Sequence, residues 1–245
     1  MIRAVSFDFD DTLAGNFPPV HQAFYTLLRR KKIKIKEENV NHAFLEVMQL
    51  FRTDTELERK VLKFARYSSE ELLAFYNNIN LLRLEKLNLG LEKPELMDLA
   101  SWITLSFPNV STKQVFDDVP GALLELRLFH EDLLIYVISG NNQNYIQDLL
   151  EKEGLMIYIK QILTPEKEGM RKRDLFKIEL KKTGIQPRQW LHVGDDFHSD
   201  HLYPSELNIR TLLLQRPKLL HLPVPEDQRD RVQIIESLHQ IYDFL

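Results

Sequence analysis

The feature that most constrains this chain is an apolar run that ends abruptly in carboxylates. Apolar residues between Ile2 and Phe9 give this stretch the β-branched and aromatic content of a buried strand. Acidic side chains crowd at its end, at Asp8, Asp10 and Asp11. Carboxylates gathered there repel one another, so they persist only where a cation or a proton offsets the repulsion. A divalent metal ion is the simplest offset, and the run therefore predicts a charged site.

Asp8 and Asp10 are two residues apart, so the alternation of a strand turns their side chains to the same side of the backbone. One carboxylate could then attack an electrophile while the other transfers a proton. The alternative is an Asp-rich surface turn in which Thr12 caps the segment that follows. This stretch alone leaves both interpretations open.

Beyond residue 113 the sequence alternates between predicted strands and helices. Further strands are predicted at Leu133–Ile138, Ile159–Leu163, Trp190–Val193 and Thr211–Leu214, with a weak one at Val232–Ile235. Helices are predicted at Ala122–Phe129, opened by an Asp118–Gly121 turn, and at Tyr145–Lys152, Asp174–Lys182 and Ser237–Leu245. Such alternation is typical of an α/β fold with a doubly wound parallel sheet, to which the first strand also belongs.

The stretch between these two parts has the periodicity of helices. Apolar residues recur at three- and four-residue spacing in Gln22–Arg30, Asn39–Phe51, Glu56–Tyr67, Glu70–Leu84 and Glu95–Phe107. Start signals agree, namely Thr53 with Glu56, Ser68 with Glu71, Pro94 as a first helical residue, and a further cap at Ser111 and Gln114. We therefore predict a core of residues 1–15 and 113–245, with an inserted all-helical domain of residues 16–112.

Composition narrows the class of protein. The chain has 245 residues and no cysteine, which excludes disulfides and thiolate metal sites and fits a reducing compartment. A net charge of −4 gives no field that favours nucleic acid or an anionic membrane. No run has the length of a membrane span, and the first residues lack the layout of a signal peptide. We expect a cytoplasmic protein that binds neither nucleic acid nor membrane; its oligomeric state stays open.

Three strand ends in the predicted sheet carry polar groups. They are Asp8 with Asp10, then Ser139 with Gly140 and Asn141, then Asp195 and Asp196 with nearby Asp200. The carboxyl ends of parallel strands lie at one edge of a sheet, so these groups can converge. The turn at Ser139 offers a hydroxyl and backbone N–H groups at a helix N-terminus, which suits an anion, although Ser139 could instead be an ordinary N-cap.

The carboxylates at the third strand end suit a hard cation. Mg²⁺ binds through one or two carboxylates and keeps several waters, one of which Asp200 could orient. Zinc held by His192 and His198 is less favoured, because His192 lies in a strand and carboxylates predominate. The basic cluster Arg171–Arg173 could supply a second cation for a phosphoryl group, or it could be a solvated surface.

Taken in order, these segments resemble the four motifs of the haloacid dehalogenase-like hydrolase superfamily. The segments are Asp8-x-Asp10-x-Thr12, Ser139, a lysine within Gly169–Lys172, and Gly194-Asp195-Asp196-x-x-x-Asp200. The resemblance covers the whole chain. The helical insertion after the first motif is similar to that of members with a C1-type cap, which implies a lid that closes over the site and selects the substrate.

The resemblance implies a Mg²⁺-dependent phosphatase that hydrolyses a small phosphate monoester. Asp8 is then the nucleophile that forms an aspartyl-phosphate, and Asp10 is the general acid and base. The metal is held by Asp8, the backbone carbonyl of Asp10 and Asp195, with Asp196 and Asp200 as further candidates. Phosphoryl oxygens are bound by Thr12, Ser139, Gly140, Asn141 and Lys172.

Several alternatives remain open at this point. Dehalogenases of the superfamily lack an acid at the position of Asp10, so phosphate chemistry is favoured, but sugar-phosphate mutases share the four motifs. Arg173 follows Lys172 where many relatives have proline, so Arg171 is an alternative to Lys172. From another class, a receiver-type signalling module has its acid pair and phosphorylated Asp on different strands, and a silent binding scaffold is disfavoured because no motif residue is missing.

Overall fold

The computed structural model describes residues 1–54, 57, 60, 67–165 and 170–245. These residues form two compact units. One unit consists of Met1–Gly15 together with Gln114–Leu245, and the other of Asn16–Lys113. The first unit has strands alternating with helices, whereas helices predominate in the second.

The strands confirm the predicted α/β fold. In chain order they are β1 (Ala4–Phe7), β2 (Ala14–Phe17), β3 (Thr112–Val115), β4 (Leu134–Ile138), β5 (Gln161–Leu163), β6 (Trp190–Gly194), β7 (Arg210–Leu214) and β8 (Ile234–Ile235). Six of them form one sheet in the order β5-β4-β1-β6-β7-β8, and all neighbours in it run parallel. The chain extends the sheet on both sides of β1, which is the doubly wound arrangement. β2 and β3, which the sequence did not predict, pair in a separate two-stranded sheet.

Helices cover both faces of the large sheet. Val5 and Phe7 of β1 belong to an apolar core that includes the buried residues of helices Asp118–Phe129 and Gln143–Lys152. Ala4 belongs to the opposite core, which includes buried residues of helix Lys172–Thr183. A strand covered on both faces is apolar at most of its positions, which is why the predicted strands are nearly continuous apolar runs.

The register of the central strands aligns their carboxyl ends. Phe7 of β1 pairs with Val137 of β4 on one side and with Val193 of β6 on the other. The residues that follow these three strands therefore leave the sheet at the same edge. This edge is where ligands bind in open α/β sheets.

The second unit contains helices Val20–Arg30, Glu37–Thr53, Ser69–Lys86 and Lys93–Ser106 among its described residues. An edge-to-face contact of Phe24 with Phe44, 5.3 Å between ring centroids, joins the first two helices. The predicted capping box of Ser68 and Glu71 is confirmed at the start of the third helix. No helix in the described part of the chain has both the length and the apolar character needed to cross a membrane.

Several local predictions for the helical region are changed. Glu56, and most of the predicted helix Glu56–Tyr67, lie outside the described residues, and Thr53 is the last residue of its helix. Pro94 is the second helical residue, where its missing N–H is still harmless. Gln114 does not begin a helix but lies in β3, and the hydroxyl of Ser111 donates to the carbonyl of Pro18 at 2.7 Å.

In the first unit, several helical segments differ from expectation. Asp118–Gly121 is not a turn but the first turn of helix Asp118–Phe129, because Pro120 lies where helical N–H groups have no intrahelical partner. The closing helix is a 3₁₀ helix, Leu238–Phe244. A π-helical segment, Phe197–Leu202, followed by a short α-helix, Tyr203–Glu206, was not predicted.

Candidate active site

A group of three carboxylates lies at the carboxyl edge of the large sheet. Asp8 follows β1, Asp195 follows β6, and Asp200 lies in the Phe197–Leu202 segment. One carboxylate oxygen from each lies within 4.8 Å of the other two. Asp8 and Asp200 are buried, and Asp195 is partly buried. The site thus concentrates three acids that are far apart in sequence.

The turn after β1 sets the direction of the first two acids. The N–H of Asp8 donates to the carbonyl of Val193 at 2.8 Å, which extends the pairing of β1 with β6 by one residue. Beyond it the chain turns sharply, since the N–H groups of Leu13 and Ala14 both donate to the carbonyl of Phe9 at 2.9 Å. Asp11 has a φ of 54°, a left-handed conformation that aspartate tolerates better than most residues.

Asp10 lies beside the turn that follows β4. Its Oδ2 atom accepts a hydrogen bond from the side-chain amide of Asn141 at 3.0 Å. The hydroxyl of Ser139 accepts from the backbone N–H of Asn141 at 3.1 Å. Asn142, and not Ser139, caps the following helix by accepting from the N–H of Tyr145 at 3.2 Å. The cap interpretation of Ser139 is therefore wrong.

Gly140 leaves open space at this turn. A Cβ atom built on it meets no atom within 4 Å, and the residue is exposed. Ser139 is buried, and its N–H donates to the carbonyl of Leu163 at 3.0 Å. The turn therefore combines the buried hydroxyl of Ser139 with open space at Gly140, where a ligand could reach the backbone.

Lys172 links two of the three acids. Its Nζ atom donates to Oδ1 of Asp8 at 2.5 Å and also to Oδ1 of Asp200. Lys172 is the first residue of helix Lys172–Thr183, and its side chain is 9% exposed. Arg171 precedes that helix, where its backbone N–H donates to Asp174, and Arg173 pairs with Glu206 at 3.2 Å. The basic residue beside Asp8 is thus Lys172.

The two adjacent acids after β6 have different environments. Asp195 belongs to the carboxylate group, and the hydroxyl of Thr12 lies 3.5 Å from its Oδ1 atom. The carboxylate of Asp196 instead accepts the N–H groups of His198 and Ser199 at 2.9 and 2.8 Å, so it caps the Phe197–Leu202 segment. The structure therefore brings Asp195, and not Asp196, together with Asp8.

Asp200 is packed and hydrogen-bonded on several sides. Its Oδ2 atom accepts from the N–H of Asp196 at 3.0 Å, and its Oδ1 atom lies 3.2 Å from Nε2 of His192. A Cβ atom on Gly194 would lie 2.4 Å from Cγ of Asp200, so this close approach requires glycine. Nδ1 of His192 is 2.8 Å from the hydroxyl of Ser6, and burial lowers the pKa of His192.

The electrostatics of the group show a shortage of positive charge. Burial raises the pKa of Asp8 to about 8; the carboxylates of Asp200 and Asp10 add to the rise, and Lys172 opposes it. Burial and the neighbouring acids, with Asp11 and Asp8 foremost, raise the pKa of Asp195 well above its ordinary value. Burial also disfavours the anion of Asp200, yet Lys172 and His192 bring its pKa below the ordinary value.

This donor set fits a hard divalent cation. Its members are carboxylate oxygens, and the pKa values of Asp8 and Asp195 are raised because both acids are buried, with neighbouring carboxylates adding to the rise. Neither His192 nor His198 belongs to the group, so the predicted zinc alternative gains no support from the described residues.

Sequence reasoning missed two residues that support the site. Arg216 donates through Nε and Nη2 to the carbonyl of Thr12 at 3.2 and 2.8 Å. Asp118 pairs with Arg216, with Oδ1 2.9 Å from Nη2. Arg216 follows the apolar end of β7 by two residues, so the signal used at the other strand ends, a polar residue after an apolar run, was present here as well.

Comparisons with known proteins agree with this fold. The sequence model of the family described as haloacid dehalogenase-like hydrolase matches residues 2–200. The human haloacid dehalogenase-like hydrolase domain-containing protein 3 is 25% identical over 241 residues, covering 97% of this chain and 91% of that protein. Glyceraldehyde 3-phosphate phosphatase of Methanocaldococcus jannaschii is 23% identical over 248 residues, covering 100% of this chain and 97% of that protein.

The fold is also similar to that of solved structures. One is a HAD-hydrolase, YfnB, from Bacillus subtilis, which was solved bound to magnesium. It superposes with a TM-score of 0.61 at 15% identity and covers 100% of this chain and 98% of that chain. At this identity the likeness concerns the fold.

Proposed function

The chain belongs to the haloacid dehalogenase-like hydrolase family, and on that premise we propose that it is a Mg²⁺-dependent phosphatase acting on a small phosphate monoester. The observation that carries this proposal is the convergence of Asp8, Asp195 and Lys172 at one sheet edge. This set combines a carboxylate nucleophile, a cation site and a fixed positive charge. A phosphoryl group needs all three, because its transfer depends on positioning and on offsetting negative charge.

In the first half of the reaction, a carboxylate oxygen of Asp8 attacks phosphorus. A bond forms between that oxygen and phosphorus, and the bond between phosphorus and the ester oxygen breaks. Asp10 gives its proton to the departing oxygen, which leaves as an alcohol. The hydrogen bond from Asn141 supports this role, because it fixes the Asp10 carboxyl at the turn that follows β4.

In the second half, Asp10 takes a proton from a water molecule that attacks the phosphorus of the aspartyl-phosphate. Inorganic phosphate leaves and the Asp8 carboxylate is regenerated. Lys172 stays beside Asp8 throughout and offsets the charge on the phosphoryl oxygens. Ser139, Gly140 and Asn141 bind the same oxygens from the open turn, and Thr12 holds the Asp195 side of the site.

Mg²⁺ is the cofactor that we propose for the carboxylate group. Asp8 and Asp195 would hold it together with the backbone carbonyl of Asp10, and Asp200 would fix Lys172 and the surrounding charge. When bound, Mg²⁺ offsets negative charge on the phosphoryl group. Asp196 is assigned to the turn, since its carboxylate accepts two backbone N–H groups.

The presence of Asp10 favours phosphate esters over haloacids as substrates. Halide leaves without a proton, whereas an alkoxide needs one, so a second acid beside the nucleophile serves an ester and not a carbon–halogen bond. The M. jannaschii relative, named a glyceraldehyde 3-phosphate phosphatase, supports a small phosphate ester as the substrate class. We further propose that the helical unit Asn16–Lys113 selects among such esters.

Turnover of a chromogenic aryl phosphate tests this function. We expect release of inorganic phosphate that requires Mg²⁺, stops on chelation and is lost in Asp8→Asn. Asp148→Asn is the matched control, because it makes the same chemical change at an exposed position on helix Gln143–Lys152. Stable phosphorylation of Asp8 without turnover would instead indicate a signalling module, and transfer to a second sugar phosphate would indicate a mutase.

A further inference from the structure

The carbonyl of Thr12 has a charged partner from a distant part of the chain. Thr12 is buried at the turn that carries Asp10 and Asp11, and Nε and Nη2 of Arg216 donate to its carbonyl at 3.2 and 2.8 Å. Two donors from one guanidinium fix both the position and the orientation of a carbonyl. The turn is thus tied to the segment that follows β7.

Arg216 is itself held on two further sides. Its Nη1 atom donates to Oδ2 of Asp118 at 3.1 Å, and its Nη2 atom lies 2.9 Å from Oδ1 of the same carboxylate. The guanidinium also stacks on the ring of Phe116, 4.0 Å from its centroid. Arg216 is 8% exposed, so it is both buried and paired with a carboxylate. Such a side chain has little freedom to leave the carbonyl of Thr12.

Asp118 extends this arrangement to the C-terminal segment. Its Oδ2 atom also accepts from the hydroxyl of Ser237 at 2.9 Å and from the N–H of Leu238 at 2.8 Å. Helix Asp118–Phe129, the Arg216 segment and the last 3₁₀ helix therefore meet at one carboxylate. We refer to Asp118, Arg216 and Ser237 as the support cluster.

The turn after β1 needs such support. Asp11 is in a left-handed conformation at a φ of 54°, and a residue held there persists where its surroundings fix it. The chain after the turn is also closely packed, because a Cβ atom on Gly15 would lie 2.3 Å from Cζ of Phe116. A shift of the Thr12 carbonyl would move Asp10 relative to Asn141, which lies on a different strand end.

We propose that Arg216 is a positioning residue that fixes the turn Asp8–Leu13 through the Thr12 carbonyl, and that the support cluster holds Arg216 in place. Arg216 acts through the backbone and does not touch substrate. The consequence for turnover rests on the proposed phosphatase function. The consequence for the turn itself does not depend on that function.

Amide hydrogen exchange on the full chain, read by NMR, tests this role directly. The reporters are the N–H groups of Leu13 and Ala14, which close the turn on Phe9, and their exchange is compared with that of the most protected amides of the sheet. The variants are Arg216→Met, which removes the charge and the guanidinium donors, and Arg216→Lys, which keeps the charge but not the paired donors. Tyr242→Phe is the control, since it removes a hydroxyl outside the support cluster, which donates to the carbonyl of Ala122 at 2.7 Å and also interacts with Glu125.

We expect the reporter amides to exchange about tenfold faster or more in Arg216→Met, relative to the sheet, with a smaller change in Arg216→Lys. In Tyr242→Phe this ratio stays at the wild-type value even if global stability falls. On an aryl phosphate, kcat falls about 100-fold in Arg216→Met while KM changes little, because the loss is one of geometry. If Arg216→Met fails to fold, the exchange ratio of Arg216→Lys is compared with that of the wild type instead.

An unchanged exchange ratio in the Arg216 variants overturns the proposal, as does an equal change in Tyr242→Phe. If the wild-type chain hydrolyses no phosphate ester, the phosphatase function fails. The exchange ratio then still decides whether Arg216 fixes the turn.

Discussion

The side-chain amide of Asn141 donates to Oδ2 of Asp10 at 3.0 Å, across 131 positions of sequence. This bond joins the turn after β1 to the turn after β4. The carboxyl group of Asp10 interacts with that of the buried Asp8, and the hydrogen bond from Asn141 keeps it in one orientation. The acid that we propose to serve the leaving group is therefore held by a neighbouring strand end.

Replacing Asn141 tests this arrangement. We expect Asn141→Ala to lower kcat on an aryl phosphate about 10- to 100-fold, because an unfixed Asp10 delivers its proton less effectively. The matched control is Asn144→Ala, an exposed asparagine in the first turn of the helix that follows, Gln143–Lys152, which should keep the wild-type rate. Steady-state kinetics check both variants, and equal rates for Asn141→Ala and wild type would remove Asn141 from the site.

We propose that the two acids after β6 have different roles, Asp195 in metal binding and Asp196 in forming the turn. Asp195→Asn should weaken Mg²⁺ binding about tenfold or more, because it removes a charged oxygen from the carboxylate group. Asp196→Asn should leave the affinity near wild type, since asparagine caps a helical segment as well as aspartate does. Titration calorimetry with Mg²⁺ compares them. A larger loss in Asp196→Asn would reverse the assignment.

Mg²⁺ binding should also depend on pH. Burial raises the pKa of Asp8 to about 8, so the metal-free protein holds a proton in the site at neutral pH. A cation must displace that proton, so affinity should rise from pH 6 towards pH 9, and binding at pH 7 should release protons. Calorimetry in buffers of different ionisation enthalpy measures the release. Binding without proton release at pH 7 would contradict the charge balance described for Asp8.

Asp118 should stabilise the fold in a pH-dependent way. Burial opposes its charge, but the hydrogen bonds from Arg216 and Leu238 outweigh burial and hold its pKa below the ordinary value. A carboxylate with a lowered pKa stabilises the folded state above its unfolded pKa, and this contribution is lost as the pH falls through the folded value.

Accordingly, Asp118→Asn should lower the free energy of unfolding at pH 7 by about 2 kcal/mol, which is the loss expected for charged hydrogen bonds in a largely buried pair. The difference from wild type should shrink as the pH falls below the ordinary pKa of aspartate. Urea unfolding at pH 7 and at low pH measures it. A difference that grows on acidification would mean that Asp118 is not ionised in the folded protein.

The part of this structure that could be predicted from sequence is the part governed by local patterns. Nearly continuous apolar runs identified β1, β4, β6 and β7, because a strand covered on both faces is apolar at most of its positions. Polar residues at the ends of those runs identified Asp8, Ser139 and Asp195, because the carboxyl ends of parallel strands lie at the sheet edge where ligands bind. Strand bounds differ from the predictions by one or two residues.

What could not be predicted depends on which way side chains turn and on contacts between distant segments. Asp195 and Asp196 are adjacent and chemically identical, yet one faces the carboxylate group and the other caps a π-helical segment. Arg216 is 204 positions from Thr12, and no local pattern encodes that pairing. The segment Asp118–Gly121 suggested a turn, but the helix begins at Asp118, because Pro120 is tolerated in the first turn of a helix.

The central claim is that Asp8 takes a phosphoryl group from a small ester. The most direct measurement is mass spectrometry of the peptide containing Asp8 after turnover of an aryl phosphate with Mg²⁺ is quenched in acid. We predict a phosphoryl group on Asp8 that disappears when substrate is exhausted, and none in Asp8→Asn. Continued turnover by Asp8→Asn, or a phosphoryl group found on another residue, would contradict the claim.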